Sequence, residues 1–188
     1  MPHPGTRQDA AIIPLPGRAC GPCTACCLEL AIDDPALRKP AGVLCAHCTP
    51  GRGCGIYDDR PTTCRDWHCG WRGLAWLDEA HRPDRWGVLV QVTADDIPRR
   101  YPRTGLVLAG LAAVEDRRTV DVVGALVRER VPTFMGVKGP PGFGGSKVFL
   151  NDQLARTAKQ RSGDRLRDAL VDEYLYALAQ PKLPIAAV

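Results

Sequence analysis

The carboxyl-terminal two thirds of the chain carries the clearest pattern of hydrophobic and polar positions. Short apolar runs predict four strands, over residues 87–92, 106–109, 131–137 and 146–150. Apolar residues that recur every three or four positions predict three helices, over residues 120–130, 152–160 and 164–179. Thr119 and Asn151 are the predicted N-caps of the first two helices. These patterns predict a small sheet accompanied by about three helices.

The first 72 residues have little such periodicity. Alternation predicts a short strand over 28–32, and the sequence after Pro35 predicts one helical turn over 35–39. A short helix is predicted over 61–67, with Pro61 in its first turn. Glycine-rich residues 139–147 predict a hairpin-like connection rather than a phosphate loop, because serine precedes lysine there.

The predicted fold class is α+β, with an amino-terminal, loop-rich cysteine module packed on the small sheet. We divide the chain into an irregular segment (1–17), a cysteine-cluster module (18–72) and an α+β portion of the same compact unit (73–188). Four tryptophans lie within twenty residues, and we expect them to form an apolar floor under the module. These tryptophans are Trp67, Trp71, Trp76 and Trp86.

Composition and charge narrow the classes of partner. The chain has 188 residues, 45% of them hydrophobic, and a net charge of +4. That imbalance is mild, and nucleic-acid-binding domains usually have a clustered basic face and a higher isoelectric point, so a nucleic-acid partner is not expected. No apolar run approaches the ~18 residues of a membrane helix, and no secretion signal is evident, so we predict a cytoplasmic protein without a membrane partner.

The candidate chemistry lies in the cysteines. All nine fall between positions 20 and 69, and four of them occur in the run Cys20-Gly21-Pro22-Cys23-Thr24-Ala25-Cys26-Cys27. A disulfide framework would spread its cysteines more widely, and the odd count and the predicted reducing compartment also argue against one. Turns of the C-x-x-C type place two sulfurs on one side, which favours thiolates that converge on metal.

Two segments carry a resemblance to a known family. The C-x-x-C-x-x-C-C run at 20–27 and the run Cys54-Gly55-Ile56-Tyr57-Asp58-Asp59-Arg60-Pro61-Thr62-Thr63-Cys64-Arg65 resemble the YkgJ-type cysteine-cluster family of zinc- or iron-chelating domains. The resemblance covers about residues 18–72 and implies metal chelation by the shared cysteines. A similar cluster in flagellin lysine N-methylases is associated with an iron–sulfur centre, so the resemblance leaves the metal open.

Cys48 departs from the family pattern and is a candidate spare thiol. His47 and His68 lie within the cluster and could replace a thiolate. Eight cysteines then remain, enough for two four-thiolate sites, or for one four-cysteine cluster and one structural site. The predicted ligands are Cys20, Cys23, Cys26, Cys27, Cys45, Cys54, Cys64 and Cys69.

Geometry and charge constrain such sites. Adjacent side chains of an extended chain point to opposite sides, so Cys26 and Cys27 would bind one ion only with difficulty. Residues 18–72 carry a net charge of only +1, which does not neutralise eight thiolates around two divalent ions. Arg60 and Arg65 are therefore predicted to stabilise the negative charge of the sulfurs without binding the metal themselves. The alternative for Arg60 is an ion pair with a neighbouring aspartate.

Zinc is the preferred metal, and an iron–sulfur cluster is the alternative. Cys20, Cys23 and Cys26 match three ligands of a ferredoxin run, but Leu30 occupies the fourth position, so a distant cysteine would have to complete it.

The sequence supports three functional hypotheses. The first is a module that binds a protein or small-molecule partner and whose metal is mainly structural. The second is an iron–sulfur enzyme or electron carrier, with the carboxyl-terminal half as the substrate or partner region. The third is metal storage or delivery. No catalytic residues are assigned, because no serine–histidine–aspartate or paired-carboxylate pattern stands out.

Overall fold

The computed structural model describes residues 12–109, 114–140 and 143–183. The amino-terminal elements are short, and in chain order they are α1 (Ala25–Glu29), β1 (Ile32–Asp34), β2 (Leu37–Lys39), β3 (Cys48–Thr49), β4 (Gly53–Cys54), α2 (Thr62–Asp66), α3 (Gly70–Gly73), a 3₁₀ turn (Glu79–His81) and α4 (Pro83–Trp86). The later elements are β5 (Leu89–Thr93), β6 (Gly105–Ala109), α5 (Arg117–Arg128), β7 (Thr133–Val137), β8 (Ser146–Phe149), α6 (Leu150–Lys159) and α7 (Gly163–Ala179). The predicted α+β class is confirmed.

The four longer strands form one sheet in the order β5–β6–β7–β8. The β6–β7 pair is parallel and the two outer pairs are antiparallel. Parallel neighbours need a crossover, and α5 supplies it between β6 and β7. All four predicted strands are present with slightly shifted ends. The antiparallel β7–β8 pair confirms the hairpin-like connection, of which residues 141–142 lie outside the described part.

Helices α5, α6 and α7 pack on one another and against the sheet. Leu108 and Met135 are directly opposed in register, fully buried, and part of the same core cluster as the helices. Val123 of α5 and Leu170 of α7 reach this cluster from apolar positions that the sequence pattern identified. Burial of each such side chain contributes about 1.5–3 kcal/mol, so this helix–sheet contact is the main hydrophobic core.

The two predicted helix caps are wrong. Asp116 caps α5 by accepting a hydrogen bond from the Arg118 amide at 2.8 Å. Thr119 lies inside the helix, fully buried, and its hydroxyl accepts a 3.0 Å hydrogen bond from the Trp86 indole. The sequence pattern assigned the Thr119 oxygen to the helix N-terminus, but the folded chain uses it to accept the hydrogen bond from Trp86.

Asn151 is likewise inside its helix rather than at the cap. Its buried side chain accepts a 2.7 Å hydrogen bond from the Thr133 amide and donates a 2.8 Å bond to the Val131 carbonyl. It therefore ties the start of β7 to α6 and satisfies two backbone groups that have no water available.

The amino-terminal elements form two small antiparallel hairpins, β1–β2 and β3–β4. The predicted strand over 28–32 is wrong, since α1 extends to Glu29 and the strand begins only at Ile32. The predicted helical turn over 35–39 is also wrong, because Leu37–Lys39 pairs with β1. The predicted helix after Pro61 is confirmed as α2.

The cysteine-bearing elements meet the sheet through α3. A Cβ on Gly70 would lie 2.7 Å from Val90 Cγ1, so only glycine permits this approach of α3 to β5. Trp71 and Trp86 are buried in the core and Trp67 packs against it, as the predicted floor requires, whereas Trp76 is exposed. Residues 12–17 form neither helix nor strand, and the Leu15 amide donates a hydrogen bond to the Arg72 carbonyl.

The helices in the described part of the chain were also compared with the length and hydropathy that a membrane span requires. None of them meets both conditions.

Asn151→Ala tests the link between β7 and α6. Removing the side chain leaves the buried Thr133 amide without this partner, while the Val131 carbonyl keeps its bond from the Thr133 hydroxyl, so we expect the free energy of unfolding to fall by roughly 1–3 kcal/mol. Urea unfolding measures the change. The control Gln153→Ala alters an exposed side chain of the same helix and should stay within about 0.5 kcal/mol of the parent. Equal losses in the two variants would contradict the assigned role of Asn151.

Candidate metal centre

Cys26 and Cys27 lie side by side on the short helix α1, not on an extended segment. The expectation that their side chains point to opposite sides is therefore wrong. Successive residues of a helix diverge by about 100° rather than 180°, and the two Sγ atoms are 3.9 Å apart. For metal–sulfur bonds of about 2.3 Å, the edge of a tetrahedron is about 3.8 Å, so this distance permits the two sulfurs to bind either one ion or two neighbouring ions.

One set of thiols, here called the four-thiol group, collects around the start of α1 and the start of α3. The Cys23 amide donates to the Cys20 carbonyl at 3.0 Å, which forms the C-x-x-C turn, and Cys26 follows on α1. Cys69 precedes α3 and is buried. These sulfurs line a cavity of about 40 Å³, which Cys64 also borders.

A second set, here called the five-thiol group, surrounds the β3–β4 hairpin. The Cys45 amide donates to the Cys27 carbonyl at 3.1 Å, and the Cys48 amide donates to the Cys45 carbonyl at 3.0 Å. Cys48 is paired across the hairpin with Cys54. Cys64 on α2 completes the group. Cys48, the candidate spare thiol, thus lies among the other sulfurs.

Electrostatic interactions show which thiols are neighbours in the four-thiol group. A hydrogen bond to Cys27 and burial raise the pKa of Cys26, and the charges of Cys20 and Cys23 raise it further. Burial raises the pKa of Cys69 to about 11, again with contributions from Cys20 and Cys23. The neighbouring thiols therefore oppose ionisation of Cys26 and Cys69 until a cation is present.

The five-thiol group shows the same mutual repulsion. Burial raises the pKa of Cys64, and the charges of Cys27, Cys45 and Cys54 add to the rise. Burial also raises the pKa of Cys48, together with its hydrogen bond to Cys27 and the charges of the same neighbours. Cys64 borders both cavities, and we count it in this group because the thiols whose charges raise its pKa are Cys27, Cys45 and Cys54.

Cys27 is the exception among the thiols. Hydrogen bonds from the Cys26 and Cys48 thiols lower the pKa of Cys27, and the positive charges of Lys39 and Arg60 lower it further, against the effect of burial. Among the thiols whose pKa is shifted, Cys27 is therefore the first to carry a negative charge as the pH rises.

Arg60 faces the sulfurs rather than a neighbouring aspartate. Its guanidinium carbon lies 3.6 Å from the Tyr57 ring centroid, and its Nε donates to the Tyr57 carbonyl at 2.6 Å. It lines a cavity of about 240 Å³ together with cysteines of both groups. Arg65 is exposed and donates to the Arg60 carbonyl at 2.9 Å, so it acts on the position of Arg60 and not on a sulfur directly.

Two further cations were missed by the sequence reasoning. Arg72 Nη1 lies 3.3 Å from Cys20 Sγ and 3.2 Å from the Tyr57 hydroxyl. Lys39 is buried, and its ammonium donates to the carbonyls of Leu30 and Pro40. Arg72 follows Cys69 by three residues in the sequence, which would place it near that thiol on a helix. No sequence signal marked Lys39.

The two candidate histidines differ in position. His47 is exposed on the turn before β3. His68 borders the smaller cavity with the four-thiol group. Burial lowers the pKa of His68, and the charges of Arg72 and Arg60 lower it further, so its imidazole stays neutral and able to donate a lone pair.

All nine cysteines, which lie within the described residues, are free thiols. As placed, no three or more Cys, His, Asp or Glu side chains in the described residues converge closely enough to form a finished metal site. What the structure supplies is the type of donor: thiols that border two cavities are ligands suited to zinc or to an iron–sulfur cluster.

We compared the chain with protein-family models, curated proteins and solved structures, and none of them gives a significant match. The resemblance to the YkgJ-type family, which rests on the cysteine-bearing segments alone, stays a prediction.

The low pKa of Cys27 predicts its reactivity. In reduced, metal-free protein at pH 7, Cys27 should be alkylated by iodoacetamide before Cys48 and Cys64, because a larger fraction of it is thiolate. Lys39→Met removes a nearby positive charge and should slow Cys27 roughly twofold to tenfold, the range for up to about one pKa unit. Fragment-resolved mass spectrometry of the digested protein measures each rate.

The control for this experiment is Lys159→Met, which removes an exposed lysine on α6 and should leave the Cys27 rate unchanged. If Cys27 reacted no faster than Cys64 in the parent protein, the assigned electrostatic environment would be wrong.

Proposed function

We propose that the chain binds metal through its nine-cysteine module, preferably zinc, and that the metal is mainly structural. In this proposal the cysteine sulfurs are the metal ligands, and Lys39, Arg60 and Arg72 balance their charge. The module would then offer a metal-stabilised surface to a protein or small-molecule partner. Because thiols stay reduced in the cytoplasm, the proposal includes a cytoplasmic location.

The observation that carries the proposal is how little of the module is buried. Across the module, residues 18–72, all of which the structure describes, seven residues are buried: Ile32, Lys39, Cys45, Gly53, Cys69, Gly70 and Trp71. The last three lie where the module meets the sheet, and of the other four Lys39 and Gly53 carry no apolar side chain. A segment of this size cannot be held together by so small an apolar core and needs disulfides or a metal. With free thiols facing one another, a metal is the better explanation.

Charge supports the same conclusion. Thiols crowded in both groups raise one another's pKa values, so ionising them costs free energy unless a cation lies between them. A divalent ion supplies that cation, and thiolates are the ligands that zinc takes in structural sites. Metal binding would therefore turn the main repulsion in the module into its main attraction.

The preference for zinc rests on the type of donor, because sets of four cysteine thiolates are among the ligands of structural zinc sites. Cys26 and Cys27, whose Sγ atoms are 3.9 Å apart, would each supply one thiolate to a different group. Backbone amides near the cysteines and the Arg72 guanidinium would donate hydrogen bonds to the bound sulfurs, which is the usual support for thiolate ligands. The predicted family resemblance implies zinc or iron and adds no residue to the set.

Removal of metal tests the proposal. Elemental analysis of the reduced, purified protein should find zinc. A chelator should lower the melting temperature of the protein and make the packing around Trp67 less ordered. Zinc in excess restores both, since a ligand at 100 times its dissociation constant stabilises by about 2.7 kcal/mol. Cys45→Ser should bind zinc more weakly, whereas Thr63→Ala, an exposed neighbour of Cys64, should bind it normally. Native mass spectra of bare polypeptide with disulfide-linked cysteines would end the proposal.

A second candidate is an iron–sulfur centre in an enzyme or electron carrier, and the four-thiol group favours it. Cys20, Cys23 and Cys26 follow ferredoxin spacing, and Cys69 is the distant cysteine that could complete the set. Arg72, with its N–H group beside Cys20, would stabilise the negative charge of such a cluster.

The optical spectrum separates the two candidates. Protein purified without oxygen should be colourless if zinc is bound. A brown protein with visible absorption that bleaches on exposure to air would establish the iron–sulfur candidate instead. Cys69→Ser should abolish that absorption, whereas Cys48→Ser should preserve it, because Cys48 belongs to the other group.

A further inference from the structure

We infer that α7 carries a docking surface for a basic, amphipathic helix of a partner protein. An apolar stripe on the helix and an acidic groove beside it make up the surface: Val171, Leu175 and Leu178 form the stripe, and Glu115, Asp168 and Asp172 line the groove. Helix α7 makes its main contacts with α5, α6, β7 and β8, none of which carries a cysteine. The surface therefore lies outside the cysteine module, and the inference does not depend on the metal binding proposed above.

The apolar stripe is exposed on a helix whose other apolar face is packed. Leu166 and Leu170 are buried in the core, whereas Leu175 and Leu178 keep 56% and 45% of their surface exposed. Val171 is half-buried, and its spacing from the two exposed leucines places all three side chains on one face of the helix. Helices α5 and α6, which the structure describes throughout, expose no large apolar side chain. A line of exposed apolar side chains on one such helix is typical of a protein-binding surface.

A groove of about 470 Å³ runs beside the stripe. Its lining residues are Glu115, Arg167, Asp168, Val171 and Asp172. Arg167 is committed to carboxylates of its own helix, with Nη1 3.4 Å from Asp164 Oδ1 and Nη2 3.2 Å from Asp168 Oδ1. Within the part of the chain that the structure describes, Glu115 and Asp172 form no ion pair. The groove therefore carries negative charge, although the chain as a whole has a net charge of +4.

The sign of this charge selects among the possible occupants. Nucleic acids and anionic membranes are negatively charged and would be repelled. A second copy packed on the same stripe around a two-fold axis would double the carboxylates of the interface. The segment after the helix would bring no free ammonium group to balance them, because Lys182 Nζ donates to Ser146 Oγ and to the Ala177 carbonyl. A positively charged partner protein is the occupant that remains.

A partner helix fits the shape of the surface. Two packed helices lie about 8–10 Å apart, with the side chains of one between those of the other. A helix laid along α7 would cover Leu175 and Leu178 with its own apolar face. Lysine or arginine at the border of that face would lie opposite Glu115 and Asp172, where opposite charges fix the register and speed association.

A synthetic peptide tests the inference. The probe is a fluorescein-labelled helical peptide of about 18 residues with leucine on one face and lysine on the other, long enough to form a helix by itself. Its fluorescence anisotropy should rise when the full-length protein is added. A matched peptide with glutamate at every lysine position should bind at least roughly tenfold more weakly, because its charges would face Glu115 and Asp172. Equal binding of the two peptides would overturn the inference, since charge would then not select the partner.

Variants of α7 locate the binding. Leu175→Ala removes an exposed side chain outside the core cluster and should weaken binding of the lysine peptide roughly tenfold. Asp172→Asn should weaken it roughly threefold and reduce its dependence on salt. The control Tyr176→Ala removes a side chain that is 60% exposed at the next position of the helix, about 100° away from Leu175, and should bind as the parent does. Unchanged binding in Leu175→Ala, or an equal loss in Tyr176→Ala, would contradict the assigned surface.

Labelling of carboxylates gives an independent map of the same site. With a carbodiimide and an amine as reagents, bound lysine peptide should protect Glu115 and Asp172, while labelling of the exposed Asp58 in the cysteine module stays unchanged. Protection of Asp58 instead would place the peptide elsewhere and overturn the inference. A parent dimer in sedimentation experiments that Leu175→Ala dissociates would show a second copy on the stripe and would overturn it as well. None of these readouts involves metal, so their outcomes are separable from those of the zinc experiments.

Discussion

Repulsion between crowded thiolates is the constraint on which the rest of this structure depends. Nine sulfurs lie within a segment that buries almost no apolar surface, and burial together with neighbouring sulfurs raises the pKa values of most thiols whose shift is resolved. The segment can hold this arrangement as neutral thiols or as thiolates around cations, and only the second contributes binding free energy. Lys39, Arg60 and Arg72 are the cations that the fold itself supplies, and each comes from a different element.

The sheet gives this weakly cored segment a rigid support. Gly70 lets α3 approach β5 closely, and Trp71 and Cys69 enter the same hydrophobic cluster as the sheet and its helices. The four-thiol group is therefore anchored at one end in a well-packed core. Among the described residues, neither strand of the β3–β4 hairpin contributes a side chain to that cluster, and Gly53 instead packs closely against the Gly21 backbone of the first C-x-x-C turn.

Cys26 and Cys27 join the two groups through one short helix. Their sulfurs are neighbours at 3.9 Å, yet their strongest remaining interactions lead in different directions, to Cys20 and Cys23 for one and to Cys48 and Lys39 for the other. A change of charge at one group is thus felt at the other through a single hydrogen bond. On an extended chain two adjacent cysteines would point to opposite sides, whereas on helix α1 Cys26 and Cys27 link the two thiol groups.

The sequence alone determined the α+β class, the four strands of the main sheet, the three long helices and the concentration of candidate chemistry in the first 70 residues. Periodicity and spacing are local properties, and these features follow from them. Only the tertiary structure decided the division of the sulfurs into groups of four and five, the use of Thr119 and Asn151 inside helices, and the approach of Lys39 and Arg72 to the thiols. These depend on contacts between residues far apart in the chain, such as Arg72 with Cys20, which no local pattern encodes because the energy that selects them arises only after the elements have packed.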